Sequence, residues 1–269
     1  MAKPLVSDEL WAIIEPHIPV KERRKCHAGR KPLPDHACLT GILFVLRSGV
    51  PWEMLPQEMG GGSGMTGWRR LRDWKEACVL ADGPGHPLEY IASGRPNRLP
   101  PLRRGQRDDP RSWGGERTGP SPVDRRKPGS KHHLRTDGNG IPIVAKTTAA
   151  NRHDVTQRLE LVNDVPAIKG KAGTPRVRFA ELYADRAYDS DPHREGLMQV
   201  GTDPKIARRN TDHGTGLGVY RWVVERTISW LHQFRRLRIR YERHADIHDA
   251  FVTIGCILIC HRVLEDQLC

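Results

Sequence analysis

The chain has 269 residues, with 44 Lys and Arg against 32 Asp and Glu, a net charge of +12. An arginine-led excess of that size favours a polyanionic partner, with nucleic acid ahead of a membrane surface, because the planar guanidinium fork suits phosphate. The longest apolar runs, Leu39–Leu46 and Phe251–Cys260, are too short to span a bilayer, and six cysteines without CxxC spacing and with no signal peptide predict a cytoplasmic setting.

Residues 1–80 read as a helical module. Ser7 is placed to cap a helix over Asp8–Glu15, and Asp35 to cap an apolar helix over His36–Arg47 that Gly49 ends. Thr66 is placed to cap a third helix, from Gly67 to Val79, with Arg69, Arg70, Arg72 and Lys75 on one side and Trp68, Leu71 and Trp74 on the other. An apolar helix, a turn and a basic amphipathic helix are the general plan of helix-turn-helix DNA binding, and equally of a solvated basic face. Residues 81–113 break the pattern. Half of residues 81–112 are Pro, Gly or Arg, no apolar period of 2 or 3.6 survives, and the segment reads as irregular.

Order returns from about Thr118. Lys131–Thr136 and Ile141–Thr148 flank Asp137-Gly-Asn-Gly140 as a hairpin, and Asp154 is placed to cap a helix over Val155–Asn163, with His153 beside it. A strand over Phe179–Ala184, a helix over His193–Val200, a short strand over Pro204–Ala207, a long helix from Tyr220 and a closing helix over His248–Leu264 complete the pattern. The fold class is therefore mixed α/β: a helical helix-turn-helix-like module, then a mixed sheet with flanking helices.

Two carboxylates stand out. Asp185 follows the apolar run Leu182–Ala184, at the end of a strand. Glu225 lies on the Tyr220 helix, where counting about 100° per residue from Arg221 puts Glu225, Ser229, His232 and Arg236 on one polar face. A strand-end Asp facing a helix-borne Glu offers the oxygen ligands that a divalent metal needs for phosphodiester chemistry. The same residues also fit an Arg221–Glu225 ion pair on a solvated face with an aspartate in a turn. Thirteen histidines leave room for a zinc hydrolase reading with His244 and His248 at i,i+4, although no His-Glu-x-x-His pattern or Cys pair accompanies them.

The motifs then become specific. Arg117-Thr-Gly-Pro120 through Lys131-His-His133, Asp137-Gly-Asn-Gly140, Asn151-Arg-His-Asp154, Tyr183-Ala-Asp-Arg-Ala-Tyr188 and Tyr220-Arg-Trp-Val-Val-Glu-Arg226 together resemble the core of bacterial insertion-sequence transposases of the IS-five type. Gly41–Leu55 and Trp68–Trp74 resemble that family's N-terminal helices. The resemblance implies a ribonuclease-H-like domain over 114–269 with an Asp-Asp-Glu triad holding two Mg²⁺ ions. By motif position Asp185 is the second acid and Glu225 the third, with Arg221 in the family's Arg-x-x-x-Glu spacing. It further implies double-stranded DNA as partner, both terminal inverted repeats and target, with Arg69, Arg70, Arg72, Lys75, Arg221, Arg226, Arg235 and Arg236 toward phosphates, and a homodimer on DNA.

The first acid departs from the pattern. Its register falls near Gly105, while Asp108 and Asp109 are close but out of register, which makes Asp109 a weak substitute. Loss of pattern at about residue 81 and recovery at about 114 has the form of two compensating frameshifts. The expectation is that the first ligand is gone, together with the strand that should carry it.

Overall fold

The computed structural model describes residues 4–20, 31–77, 102–110, 115–122, 125–152, 179–184, 189–208 and 218–268, with backbone alone along 102–110, along 218–221, at 264 and along 266–268. The expected helix over Val155–Asn163, with His153 and Asp154, lies outside them.

Three helices form the N-terminal part: α1 (Asp8–Ile14), α2 (Asp35–Ser48) and α3 (Gly64–Glu76). Ser7 caps α1 as expected, its hydroxyl accepting from Leu10 N at 3.2 Å. Gly49 ends α2 with φ 75°, a left-handed conformation that a Cβ disfavours. Two caps differ from expectation. Pro34 rather than Asp35 precedes α2, and α3 begins at Gly64, so Thr66 falls inside the first turn and its hydroxyl lies 3.2 Å from that of Ser63. The earlier start is set by packing: a Cβ on Gly64 would lie 1.7 Å from the Trp52 carbonyl oxygen, so only glycine lets α3 approach the 49–63 connection this closely. Gly64→Ala is therefore expected to destabilise the protein by about 3 kcal/mol, the upper end for overpacking against unyielding backbone, read as a lower urea midpoint at unchanged slope.

The sheet contains β1 (Leu102–Pro110), β2 (Gly119–Pro120), β3 (Pro128–Thr136), β4 (Pro142–Ala149), β5 (Glu181–Ala184) and β6 (Asp203–Ile206). The order is β2-β3-β1-β5-β6, with β4 also paired to β3. The β3–β4 hairpin matches expectation. Its turn is held by the Asp137 carboxylate, which accepts from Asn139 N at 2.9 Å and Ile141 N at 2.8 Å.

β1 is the main departure. The expectation of irregular chain over 81–113, with the strand lost, is corrected at residues 102–110, which form the strand between β3 and β5, while the rest of 81–113 lies outside the described residues. They pair antiparallel with β3 from Arg103↔Thr136 to Pro110↔Gly129, and parallel with β5 at Leu102↔Leu182 and Arg103↔Tyr183. Two flanking strands supply ladder partners that the segment's own composition does not advertise, and tertiary pairing overrides β-propensity. Pro110 is compatible because it sits at the strand's last position.

Four helices complete the chain: α4 (Asp191–Gln199), α5 (Gly218–Leu231), the short α6 (Arg235–Arg238) and α7 (Ala245–Leu268). α5 lies against β1, β3 and β5, while α7 contacts β4, α3, α5 and α6. One apolar cluster runs from Val6, Leu10 and Leu43 through Leu71 and Trp74 to Leu134, Val224, Phe251 and Ile257. The expected boundary at residue 80 is not a boundary between cores. A second, smaller cluster with Leu182, Leu197 and Ile206 lies between β5, β6 and α4.

Polar contacts reinforce the junction. Arg236 on α6 is buried, donates to the Glu242 carboxylate at 2.7 and 3.0 Å, and reaches the carbonyls of Gly49 and Val50 beyond α2 at 3.4 and 3.3 Å. Arg240 is fully buried and donates to the carbonyls of Glu116, Arg117 and Glu242 and to the Ser130 hydroxyl. Such inward arginines are satisfied by fixed acceptors rather than by water. No helix of the described residues is long and apolar enough to cross a membrane.

Candidate nucleic-acid and metal site

Glu225 is exposed on α5, as its helical spacing predicts, and so is Ser229, while Val223, Val224, Thr227, Ile228 and Leu231 are buried on the opposite side. The helix is fixed to the β3–β4 turn by Thr227, whose hydroxyl donates to the Gly140 carbonyl at 2.6 Å, and by Arg226, which donates to the Asn139 carbonyl at 2.6 Å. The predicted polar face holds only to the end of α5. Beyond Leu231 the chain turns into α6, the count of 100° per residue no longer applies, and His232 is half-buried and Arg236 buried.

Asp185 follows β5 directly in sequence but lies outside the described residues, as does the side chain of Arg221. The backbone of β1 still tests for a first acid. Residues paired across strands share a face, so Gly105 lies on the face of its partner Leu134. Leu134 is buried in the same cluster as Val224 and Ile228, so this face is turned toward α5. Two residues beyond the Arg103↔Tyr183 pair come Gly105 on β1 and Asp185 in the sequence after β5. Gly105, two residues beyond the last described β1–β5 pair, carries no side chain. Asp109 pairs with Ser130, four residues and roughly 13 Å further along β1. Asp108, at an odd offset from Gly105, belongs to the opposite face.

The chemistry of a two-ion site asks for several hard oxygen donors. Among the described residues Glu225 supplies one, while Asp185 and the side chains of β1 lie outside them. A separate group, Glu116, His244 and Asp246, has ligand atoms within 4.8 Å of one another, all exposed. Glu116 is already engaged there, accepting from Ala245 N at 3.1 Å at the start of α7. The zinc pair His244 and His248 is corrected by geometry. His248 is fully buried with its Nε2 2.7 Å from that of His132, whereas His244 is exposed with its ring beside Trp68.

The arginines expected at phosphates divide into two groups. Arg69 and Arg235 are exposed, and Lys75 is half-buried. Arg72 pairs with Asp73 at 3.0 Å and stacks on Trp68; the Asp73 hydrogen bond raises its pKa above the ordinary value. Arg70 and Arg236 are turned inward, Arg70 onto Asp35 at 3.1 Å and the Leu33 carbonyl, Arg236 onto Glu242. Neither is available to DNA. Their positions on helical faces look alike in sequence, and only the packing of α2 against α3 and α6 separates them.

Trp222, which the polar-face pattern does not single out, is 48% exposed one turn before Glu225. The guanidinium of Arg226 lies 4.5 Å from the ring centroid of Trp222 and 4.8 Å from that of Trp230. The signal was present as aromatic–cation–aromatic at four-residue spacing along one helix.

Comparison with known proteins adds a lineage. Residues 6–82 match a family model described as "Putative transposase of IS4/5 family", and residues 101–260 match one described as "Transposase DDE domain". The chain is 56% identical over 174 residues to the "Putative transposase for insertion sequence element IS402" of Burkholderia cepacia, covering 65% of this chain and 82% of that protein. An uncharacterized 16.2 kDa protein of insertion element IS402, from the same organism, is 59% identical over 80 residues, 29% of this chain and 54% of that protein. The transposase for insertion sequence element IS1106 of Neisseria meningitidis serogroup B is 32% identical over 126 residues, 43% of this chain and 40% of that protein.

Proposed function

Because the chain belongs to the DDE transposases of the IS4/5 family, we propose that it binds the terminal inverted repeats of an insertion sequence as double-stranded DNA, while its own cleavage site is one acid short. Family membership carries a DNA substrate, DNA cleavage and strand transfer, a ribonuclease-H-like catalytic fold and dependence on a divalent metal. Within that frame Asp185 and Glu225 are the two remaining ligands, and Mg²⁺ is the ion. Arg69, Lys75, Arg221, Arg226 and Arg235 contribute positive charge toward DNA, and two copies act together, one on each end.

The observation that carries the reading is Gly105 on β1, a position without a side chain on the face of Leu134, two residues beyond the Arg103↔Tyr183 pair. It favours occupation of DNA ends without cutting over cleavage by this copy. The test is a titration of end-containing duplex with Mg²⁺ present, scored for binding and for nicking, with Asp185→Ala alongside. Binding by both proteins with no nicking above background is the expected result. Nicking by the natural chain that disappears in Asp185→Ala would overturn the one-acid-short reading, and absence of binding would overturn the DNA reading.

A further inference from the structure

We propose that the turn joining β2 to β3 is a preformed clamp for the phosphate backbone of double-stranded DNA, made by Arg125, Arg126 and Lys127; this rests on the DNA-binding reading above. Among the described residues, the non-glycine residues with positive φ are Arg117 (48°), Arg125 (46°) and Arg126 (60°), all flanking β2. A Cβ disfavours that left-handed region, so each needs a compensating restraint. For Arg117 the restraint includes the side chain. Its guanidinium pairs with Asp249 at 2.6 Å, and its carbonyl accepts from the Ser130 hydroxyl at 2.9 Å and from Arg240 at 3.3 Å. Arg125 and Arg126 are held through the backbone instead: Arg126 N donates to the Ser121 carbonyl at 3.1 Å, and Ser121 N to the Lys127 carbonyl at 2.8 Å. Both arginines are exposed, and among the described residues neither guanidinium has an ion-pair partner.

Backbone strain of this kind persists where the surrounding structure over-determines it, and it gathers at ligand clamps. Here the pairs Gly119↔Gly129 and Pro120↔Pro128 close the turn, and the ring of Pro128 fixes φ at its exit. Three adjacent cations are thus presented on a backbone that is ordered before any ligand arrives. The described residues of the turn include no aromatic ring on which a base could stack. Guanidinium groups meet phosphate oxygens through two parallel N–H donors, and contacts of that kind position a duplex without reading its sequence. The place suits an anchor set apart from the cutting site: Gly129 pairs with Pro110, five residues and roughly 17 Å along β1 from Gly105.

The probes are two fluorescein-labelled duplexes of equal length, one carrying the insertion-sequence end and one with that sequence scrambled. Each is titrated with the full chain between about 50 and 200 mM KCl. Arg125→Gly with Arg126→Gly removes both charges and suits the left-handed backbone, so its melting temperature is expected to equal or exceed that of the natural chain. It is expected to bind both duplexes at least about tenfold more weakly at the lower salt, through loss of two charge-assisted contacts. The slope of log affinity against log salt should flatten by about 2. Arg125→Lys with Arg126→Lys keeps the charge and should keep the slope. Lys205→Gln with Arg208→Gln removes two cations already paired with Asp203 and Asp191, and should leave the slope unchanged. An unchanged slope or a lowered melting temperature in the glycine variant overturns the clamp alone. So does equal flattening in the lysine variant or the Lys205/Arg208 variant, or a loss confined to the end sequence. Failure of the natural chain to bind either duplex overturns the DNA-binding reading, and the clamp with it.

Discussion

Gly105→Asp is expected to give this chain Mg²⁺-dependent nicking of end-containing DNA at least about a hundredfold above the natural chain. The size follows from metal-site energetics: outer-shell partners of a metal are worth about 10–100-fold, and a direct ligand at least the upper end of that range. The backbone is already in place, since β1 pairs on both sides and Gly105 shares the α5-facing side of the sheet with Leu134. Replacing glycine inside a strand also removes the entropic disadvantage of that residue. The gain should vanish when Asp185→Ala or Glu225→Ala is added, and Gly105→Asn should give little of it. Nicking by the natural chain at the level of Gly105→Asp would show that position 105 is not where the acid is missing.

Arg236→Ala is expected to cost roughly 3–5 kcal/mol of stability, the range for removing one partner of a buried ion pair. Glu242 is left behind as a buried carboxylate, and the carbonyls of Gly49 and Val50 lose a donor. Breaking the pair is the damaging step rather than lacking it, so Arg236→Met with Glu242→Leu should recover most of the loss. Because the contacts join α6 to the end of α2, the destabilisation should appear in one cooperative transition followed by circular dichroism and by tryptophan fluorescence alike. Two separated transitions, with only one shifted, would contradict the shared core.

What could be read from sequence divides along physical lines. Local signals carried: Ser7 and Gly49 at helix ends, the Asp137 turn and the apolar side of α5 all rest on interactions within a few residues. Positions fixed from a distance did not carry. β1 is defined by its pairings with β3 and β5, which lie some 25 and 80 residues away in the chain, so its own Pro- and Arg-rich composition concealed it. Arg70 and Arg236 sit at helical positions that look solvent-facing until the partner helices are known. Of the site, Glu225 and its exposure were legible, while the place of the first acid near Gly105 rests on motif position together with the proposal above. The side chain of Asp185 lies outside what the structure describes, and its role rests on motif position.

The continuous core between the N-terminal helices and the sheet fixes those helices relative to the Glu225 face of α5. Trp52 stacks on Phe251, with ring centroids 5.6 Å apart, and α3 lies against α7, so the two parts cannot swivel independently. On the DNA-binding reading proposed above, the protein would work as a ruler: the offset between base pairs held by the helices and a DNA terminus at Glu225 would be graduated by side-chain packing and not by the length of chain that connects the two halves.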